Sequence, residues 1–168
     1  HVGAWLHDPR TRLVAVADVD LEKRQMAVDR GYVPASNVFE DGQRLIEEVR
    51  PDIVSIATLA GGKHNHTEFV LSAARHGVSA VVCEKPIADT ISETESMIRA
   101  CEEANVMRFV NHIRRFDPTL QVWQKRLEEG FLGKIYQATG WYAIGLYHMG
   151  THLVDFLRYL LGDVSWVS

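Results

Sequence analysis

Apolar residues fall along this chain in two alternating rhythms. Short continuous runs, Arg12 to Asp18 (RLVAVAD), Asp52 to Thr58 (DIVSIAT), Ala80 to Cys83 and Met107 to Asn111, read as strands buried on both faces of a parallel sheet. Between them, Leu21 to Arg30, Gln43 to Val49, Thr67 to His76 and Thr90 to Ala104 space apolar residues among charges, as surface helices do. Gly31 and Gly77 stand where a left-handed residue ends a helix. Strands alternating with helices predict βαβ units, hence an α/β doubly wound parallel sheet. The rhythm changes after Asn111. Asp117-Pro118 opens a helix over Pro118 to Glu129, Lys134 to Tyr142 alternates like a half-buried strand, and His152 to Leu161 predicts a helix ended by Gly162. The expected layout is therefore a doubly wound α/β domain over residues 1–113. Residues 114–168 are expected to begin an α+β domain with an antiparallel sheet.

Composition narrows the function classes. The 168 residues are 46% hydrophobic and 24% charged, enough to bury a core. The net charge of -4, from 22 acidic against 18 basic residues with no basic run, argues against a nucleic-acid partner. No apolar stretch nears the roughly 18 residues that span a bilayer, and the start lacks a secretion signal pattern. Cys83 and Cys101 suit neither a disulfide framework nor a metal-ligand pair, so a reducing compartment, by default the cytoplasm, is expected. The chain starts at His1 rather than Met, and a lone strand-helix pair cannot bury its own faces, so both domains are expected to be incomplete.

In an open parallel sheet ligands bind beyond the carboxyl ends of the strands. Asp18, Thr58, Glu84-Lys85-Pro86 and Asn111 to Arg115 occupy those places. An acid after the second strand of a dinucleotide fold accepts hydrogen bonds from the adenosine ribose and repels a 2'-phosphate, so Asp18 favours NAD over NADP. Its alternatives are a turn-capping role and Asp20 as the acceptor. The Gly-rich phosphate loop that should precede this strand is absent from the sequence, where only Gly3 is found. Lys85, flanked by Glu84 and Pro86 at a buried strand end, is placed to hydrogen-bond a substrate hydroxyl and stabilise developing alkoxide charge, a structural Lys-Glu pair being the alternative.

Val82-Cys83-Glu84-Lys85-Pro86-Ile87-Ala88 resembles the Glu-Lys-Pro motif of the glucose-fructose oxidoreductase/inositol dehydrogenase family, in which the lysine contributes to catalysis. Val16-Ala17-Asp18 is similar to the family's ribose-binding strand end, and Ile56-Ala57-Thr58 with His66 to its Ala-Thr-Pro...His loop against the cofactor. Arg114 to Pro118 resembles its Arg-Phe-x-Pro segment, and Gly150-Thr151-His152-Leu153-Val154-Asp155 its Gly-x-His-x-x-Asp segment. The match runs in order over nearly the whole chain. It implies an NAD(P)-dependent oxidoreductase acting on a sugar, nucleotide sugar or inositol, usually a homo-dimer or homo-tetramer. Carried over residue by residue, Lys85 and His152 are catalytic, the latter as general acid/base. Asp18, Thr58, His66, Glu84, Lys85, Pro86 and Arg115 face the cofactor.

Two departures stand out. Leu59 replaces a usual proline and Gly61-Gly62-Lys63 lengthens the loop. His148 stands where the family commonly has Asp or Asn one turn before its catalytic histidine, and joins the catalytic set as a substrate contact, with structural packing the alternative. His148 and His152 share a helical face if the helix reaches back that far, yet no third metal ligand is evident, and none is offered around His64-Asn65-His66. No metal is expected. Cys83 reads as packing rather than nucleophile, and Trp123, Trp141 and Tyr142 as core or sugar-stacking residues. The rival classes are a non-catalytic dinucleotide-binding regulator or scaffold, which needs neither Lys85 nor His152, and a methyltransferase of similar fold, against which the Glu-Lys-Pro and Gly-Thr-His segments argue.

Overall fold

The computed structural model describes residues 1–58 and 65–167. The lengthened loop with Leu59, Gly61-Gly62-Lys63 and His64 lies outside the described residues. The chain divides into two units, His1–Val110 and Asn111–Ser168.

The first unit is α/β. A short helix, α1 (Val2–His7), precedes strand β1 (Val16–Ala17), helix α2 (Leu21–Asp29), strand β2 (Val38–Phe39) and helix α3 (Gly42–Val49). Then follow β3 (Ile53–Ile56), α4 (His66–Arg75), β4 (Ala80–Cys83), α5 (Ile91–Glu103) and β5 (Met107–Val110). Each pairing is parallel: β1 with β2 in one sheet, and β3-β4-β5 in the other, with Ile56 opposite Cys83 and Cys83 opposite Val110. The expected strand Arg12 to Asp18 contracts to two residues because its neighbour β2 is equally short. Asp18 N–H still donates to Phe39 O, and Asn37 Nδ2 donates to Val14 O, so the flanks are held without a full ladder.

Helix boundaries follow local chemistry. Asp20, Asp41 and Asn65 cap α2, α3 and α4 through side-chain oxygens, while Thr90 and Glu93 form a reciprocal capping box on α5. Gly31 and Gly77 take φ of 67° and 69°, as a chain leaving a helix requires. The core lies between the β3-β4-β5 sheet and its helices, built on Ile46, Val54, Ile56, Phe69, Val81, Met97 and Cys101. Strand β4 buries Ala80, Val81 and Cys83, as a central parallel strand must, whereas the edge strand β5 leaves Met107 and Phe109 exposed.

The second unit holds a 3-10 turn (Ile113–Phe116), helix α6 (Pro118–Glu128) capped by Asp117, and a π-helical turn (Leu146–Gly150) running directly into helix α7 (Thr151–Leu161). The expected strand at Lys134 to Tyr142 does not form, and no antiparallel sheet occurs among the described residues. A strand needs a hydrogen-bonding neighbour, and none of the described residues supplies one to this segment. Trp141 is exposed, and Trp123 meets Phe131 edge-on with ring centroids 6.1 Å apart, so neither belongs to a closed core.

Burial pushes the Cys83 thiol up to about 12, helped by the neighbouring Glu84 carboxylate, and burial also raises Cys101. The native protein should therefore leave both thiols unmodified by a thiol reagent at pH 8, with labelling only in denaturant; mass mapping of rapid native labelling at Cys83 would refute the packing assignment. Truncation of Met97, 1% exposed in the core, should cost about 2–5 kcal/mol in a chemical denaturation experiment on Met97→Ala, and a loss below about 1 kcal/mol would mean the site collapses freely.

Candidate functional site

Parallel pairing places the residues that follow β3 and β4 at one edge of their sheet. Beyond the last paired residues, Glu84 N–H donates to Ile56 O at 3.0 Å, so the ladder continues into the turn that carries Lys85. The carboxylate of Glu84 then works in two directions. Its Oε2 accepts Lys85 N–H at 3.2 Å, and its Oε1 lies 2.7 Å from His1 Nε2. The His1 ring lies between that carboxylate and Ser55, with Nδ1 2.7 Å from Ser55 Oγ. The Lys85-Pro86 peptide is cis.

Across this turn lies His66, the first residue of α4 and only 1% exposed. Its Nε2 is 2.8 Å from Thr58 O, while Nδ1 is 3.0 Å from Pro86 O and 3.2 Å from Ile87 O. The imidazole thus meets the backbone that follows both strands.

At the carboxyl end of β1 the Asp18 carboxylate is partly exposed. Its Oδ1 accepts Asp20 N–H at 2.9 Å and its Oδ2 lies 3.7 Å from Lys23 Nζ. Asp20 itself caps α2, its side chain accepting from Glu22 N–H. Arg24 fastens the turn by donating Nη1 to Asp18 O and Val19 O, with Nη2 3.6 Å from Glu40. Beside it opens a cavity of about 530 Å³ lined in part by Val19, Ser36, Phe39 and Glu40.

In the second unit a partly buried charge organises the elements. Asp155 on α7, its side chain 12% exposed, accepts from Arg115 Nε at 2.9 Å and lies 2.6 Å from Arg115 Nη2. The guanidinium also lies over the Tyr159 ring, 5.2 Å from its centroid, and the hydrogen bond to Asp155 raises its pKa further. His112 Nδ1 is 3.7 Å from Asp155 Oδ2, and the His112 ring meets that of His152 edge-on at 6.3 Å. His148 sits in the π-helical turn just before α7, with His148 O accepting from Thr151 Oγ1 at 3.0 Å. The helix does reach back to His148, although through a π turn rather than an α turn. Gly150 has a physical reason: a Cβ there would meet Leu146 Cδ1 at 2.8 Å and the Tyr142 ring at 3.1 Å. Among the described residues no group of three or more His, Cys, Asp or Glu side chains could hold a metal ion.

Sequence reasoning missed three participants. His112 stood inside a segment known to follow a strand, and Asp155 inside the Gly-Thr-His segment, but their approach to one another depends on tertiary structure. His1 carried no signal. A nicotinamide dinucleotide is compatible with the residue types of the first unit: a partly exposed carboxylate at Asp18 after β1, and an ammonium at Lys85 after β4 in the other sheet.

Comparison with known proteins agrees with this geometry. Residues 1–112 match the model of an oxidoreductase family with an NAD-binding Rossmann fold. The chain is 29% identical over 98% of its length to D-apiose dehydrogenase of Paraburkholderia graminis, covering 47% of that protein. It is 31% identical over 80% of its length to inositol 2-dehydrogenase of Rubrobacter xylanophilus, covering 37% of it. The fold of the WlbA dehydrogenase from Bordetella pertussis, solved with NADH and UDP-GlcNAcA, superposes with a TM-score of 0.80 at 28% identity, over 96% of this chain and 51% of that one. The chain spans about half the length of the first curated relatives it matches. With a sheet of parallel strands, an acid after β1 and the Glu-Lys-Pro turn after β4, this chain belongs to the glucose-fructose oxidoreductase/inositol dehydrogenase family of NAD-binding Rossmann-fold oxidoreductases.

Proposed function

We propose that the protein carrying this chain is an NAD-dependent dehydrogenase that oxidises a hydroxyl-bearing carbon of a sugar, nucleotide sugar or inositol, or reduces the corresponding carbonyl. The observation that carries the reading is Lys85, held in the Glu84-Lys85-Pro86 turn at the carboxyl edge of a parallel sheet. When bound, the nicotinamide supplies the hydride acceptor or donor. Lys85 Nζ donates a hydrogen bond to the substrate oxygen and stabilises the negative charge that develops there. An imidazole nitrogen of His152 takes the hydroxyl proton during oxidation and returns it during reduction. His148, one turn earlier, contacts the substrate.

Asp18 Oδ2 accepts from the adenosine ribose hydroxyls and repels a 2'-phosphate, which sets the preference for NAD. Thr58, Glu84 and Pro86 shape the wall against the cofactor. Arg115, by the family resemblance, is a further cofactor contact, and its Nε and one Nη are held by Asp155. The relatives support the substrate class, since their names specify an apiose and an inositol. A homo-dimer or homo-tetramer in the cytoplasm completes the reading, and light scattering of the whole protein tests the assembly.

Fluorescence titration of the whole protein should show NADH binding, with turnover against some member of a panel of sugars, nucleotide sugars and inositols. Lys85→Ala should keep NADH binding within about threefold and lose turnover by about 100-fold or more, the signature of an interaction made in the transition state. Binding without turnover on any polyol would favour a regulator, and absence of nicotinamide binding would end the dehydrogenase reading. Asp18→Ser should weaken NADH and tighten NADPH, narrowing their affinity ratio by about tenfold, as expected when a repelling carboxylate is removed.

A further inference from the structure

We propose that His66 is a positioning residue for Lys85, acting through the backbone on both sides of the cleft edge rather than by touching cofactor or substrate. Its ring is 1% exposed and meets three carbonyl oxygens: Thr58 O on Nε2, Pro86 O and Ile87 O on Nδ1. Carbonyls only accept, so every bond here is one that the ring donates. The neutral ring, with one N–H, satisfies one strand end; with both nitrogens protonated it satisfies both.

The two strand ends so joined are functional. Thr58 follows β3, and Pro86 and Ile87 are the residues next to Lys85 in the turn after β4. His66 cannot drift, because it begins α4, whose Phe69, Val70 and Ala73 lie in the core, and Ile87 packs against the same cluster. The ring is therefore a strut between a helix fixed in the core and the turn that aims Lys85. A displacement of about 1 Å at a catalytic group costs up to about 100-fold in rate, so a strut of this kind acts on turnover.

The inference rests on the dehydrogenase reading for its kinetic arm, and a labelling arm stands apart from it. In the whole protein, His66→Leu fills the volume without donors, and His66→Gln retains an N–H donor. For folded His66→Leu we expect kcat to fall about 10- to 100-fold with KM and the NADH Kd within about threefold, and His66→Gln to recover at least about a third of the lost logarithm of rate. The rate at which trinitrobenzenesulfonate modifies Lys85, followed by peptide mass mapping, should change by about fivefold or more in His66→Leu and less in His66→Gln, because lysine reactivity follows its surroundings. If His66→Leu does not fold, His66→Asn, whose shorter side chain cannot reach both strand ends, takes its place, and wild-type kcat with wild-type Lys85 labelling in it overturns the proposal. Folded His66→Leu with wild-type kcat and wild-type Lys85 labelling overturns it likewise. A wild-type protein that binds no NADH refutes the dehydrogenase reading alone, and the labelling comparison then still supports or overturns the strut.

Discussion

Parallel pairing between β3 and β4 is the constraint on which the first unit depends. With Ile56 opposite Cys83 and Glu84 N–H on Ile56 O, β3 cannot shift by one residue without exchanging its buried Val54 and Ile56 for Ile53 and Ser55. Val81 and Cys83 lie in an interior that tolerates no such exchange. Register thereby fixes where each strand stops, and the residues beyond the stop, Thr58 and Lys85, inherit a defined separation. Apolar packing thus sets the place of a polar residue.

Polar groups then refine what packing has set. A buried imidazole without partners would cost several kcal/mol, on the order of the stability of a whole small domain, so His66 persists inside only because carbonyls meet it. The second unit obeys the same rule with charge. Asp155 is partly withdrawn from water, and removing Arg115 would leave a carboxylate short of its bidentate partner. The pair joins the 3-10 turn to α7, and His112 and His152 take their places around it. Surface pairs such as Arg44 with Glu48 belong to another class, since exposed ions gain little from meeting.

What was legible from the sequence follows from the range of each interaction. β4, α4 and α5 were readable because a buried strand and a capped amphipathic helix are written in neighbouring residues, down to Thr90 and Gly77. The α/β class followed from their order. β2 was invisible, since two residues carry no period, and β1 was drawn too long because run length reports apolarity whereas ladder length reports the partner. Lys134 to Tyr142 failed for the same reason: alternation shows readiness to pair, not the presence of a mate. Helix α1 escaped notice because it buries no residue and so needs no stripe. At the site, the places of Lys85 and Asp18 after strands are legible in the sequence, while His112 beside Asp155 joins residues far apart in the chain, which no local pattern encodes. The contacts of the His66 ring with Thr58 O, Pro86 O and Ile87 O are not legible in the sequence, since a motif letter carries no side-chain orientation.

The Asp18 turn shows how a weak interaction can leave a strong one undisturbed. Lys23 Nζ approaches Asp18 Oδ2 to 3.7 Å, yet its side chain is 60% exposed and that of Asp18 36%. An exposed pair of this kind is worth about 0–1 kcal/mol and costs little to open. A neutralising partner locked onto Asp18 would remove both its acceptor function and its repulsion of a phosphate; an exposed, weakly held lysine removes neither. Arg24 is the opposite case, largely buried and spent on the carbonyls of Asp18 and Val19, so its charge secures the turn's backbone and leaves the carboxylate alone. One cation therefore holds the turn while the other leaves room, and the proposed preference for NAD requires both.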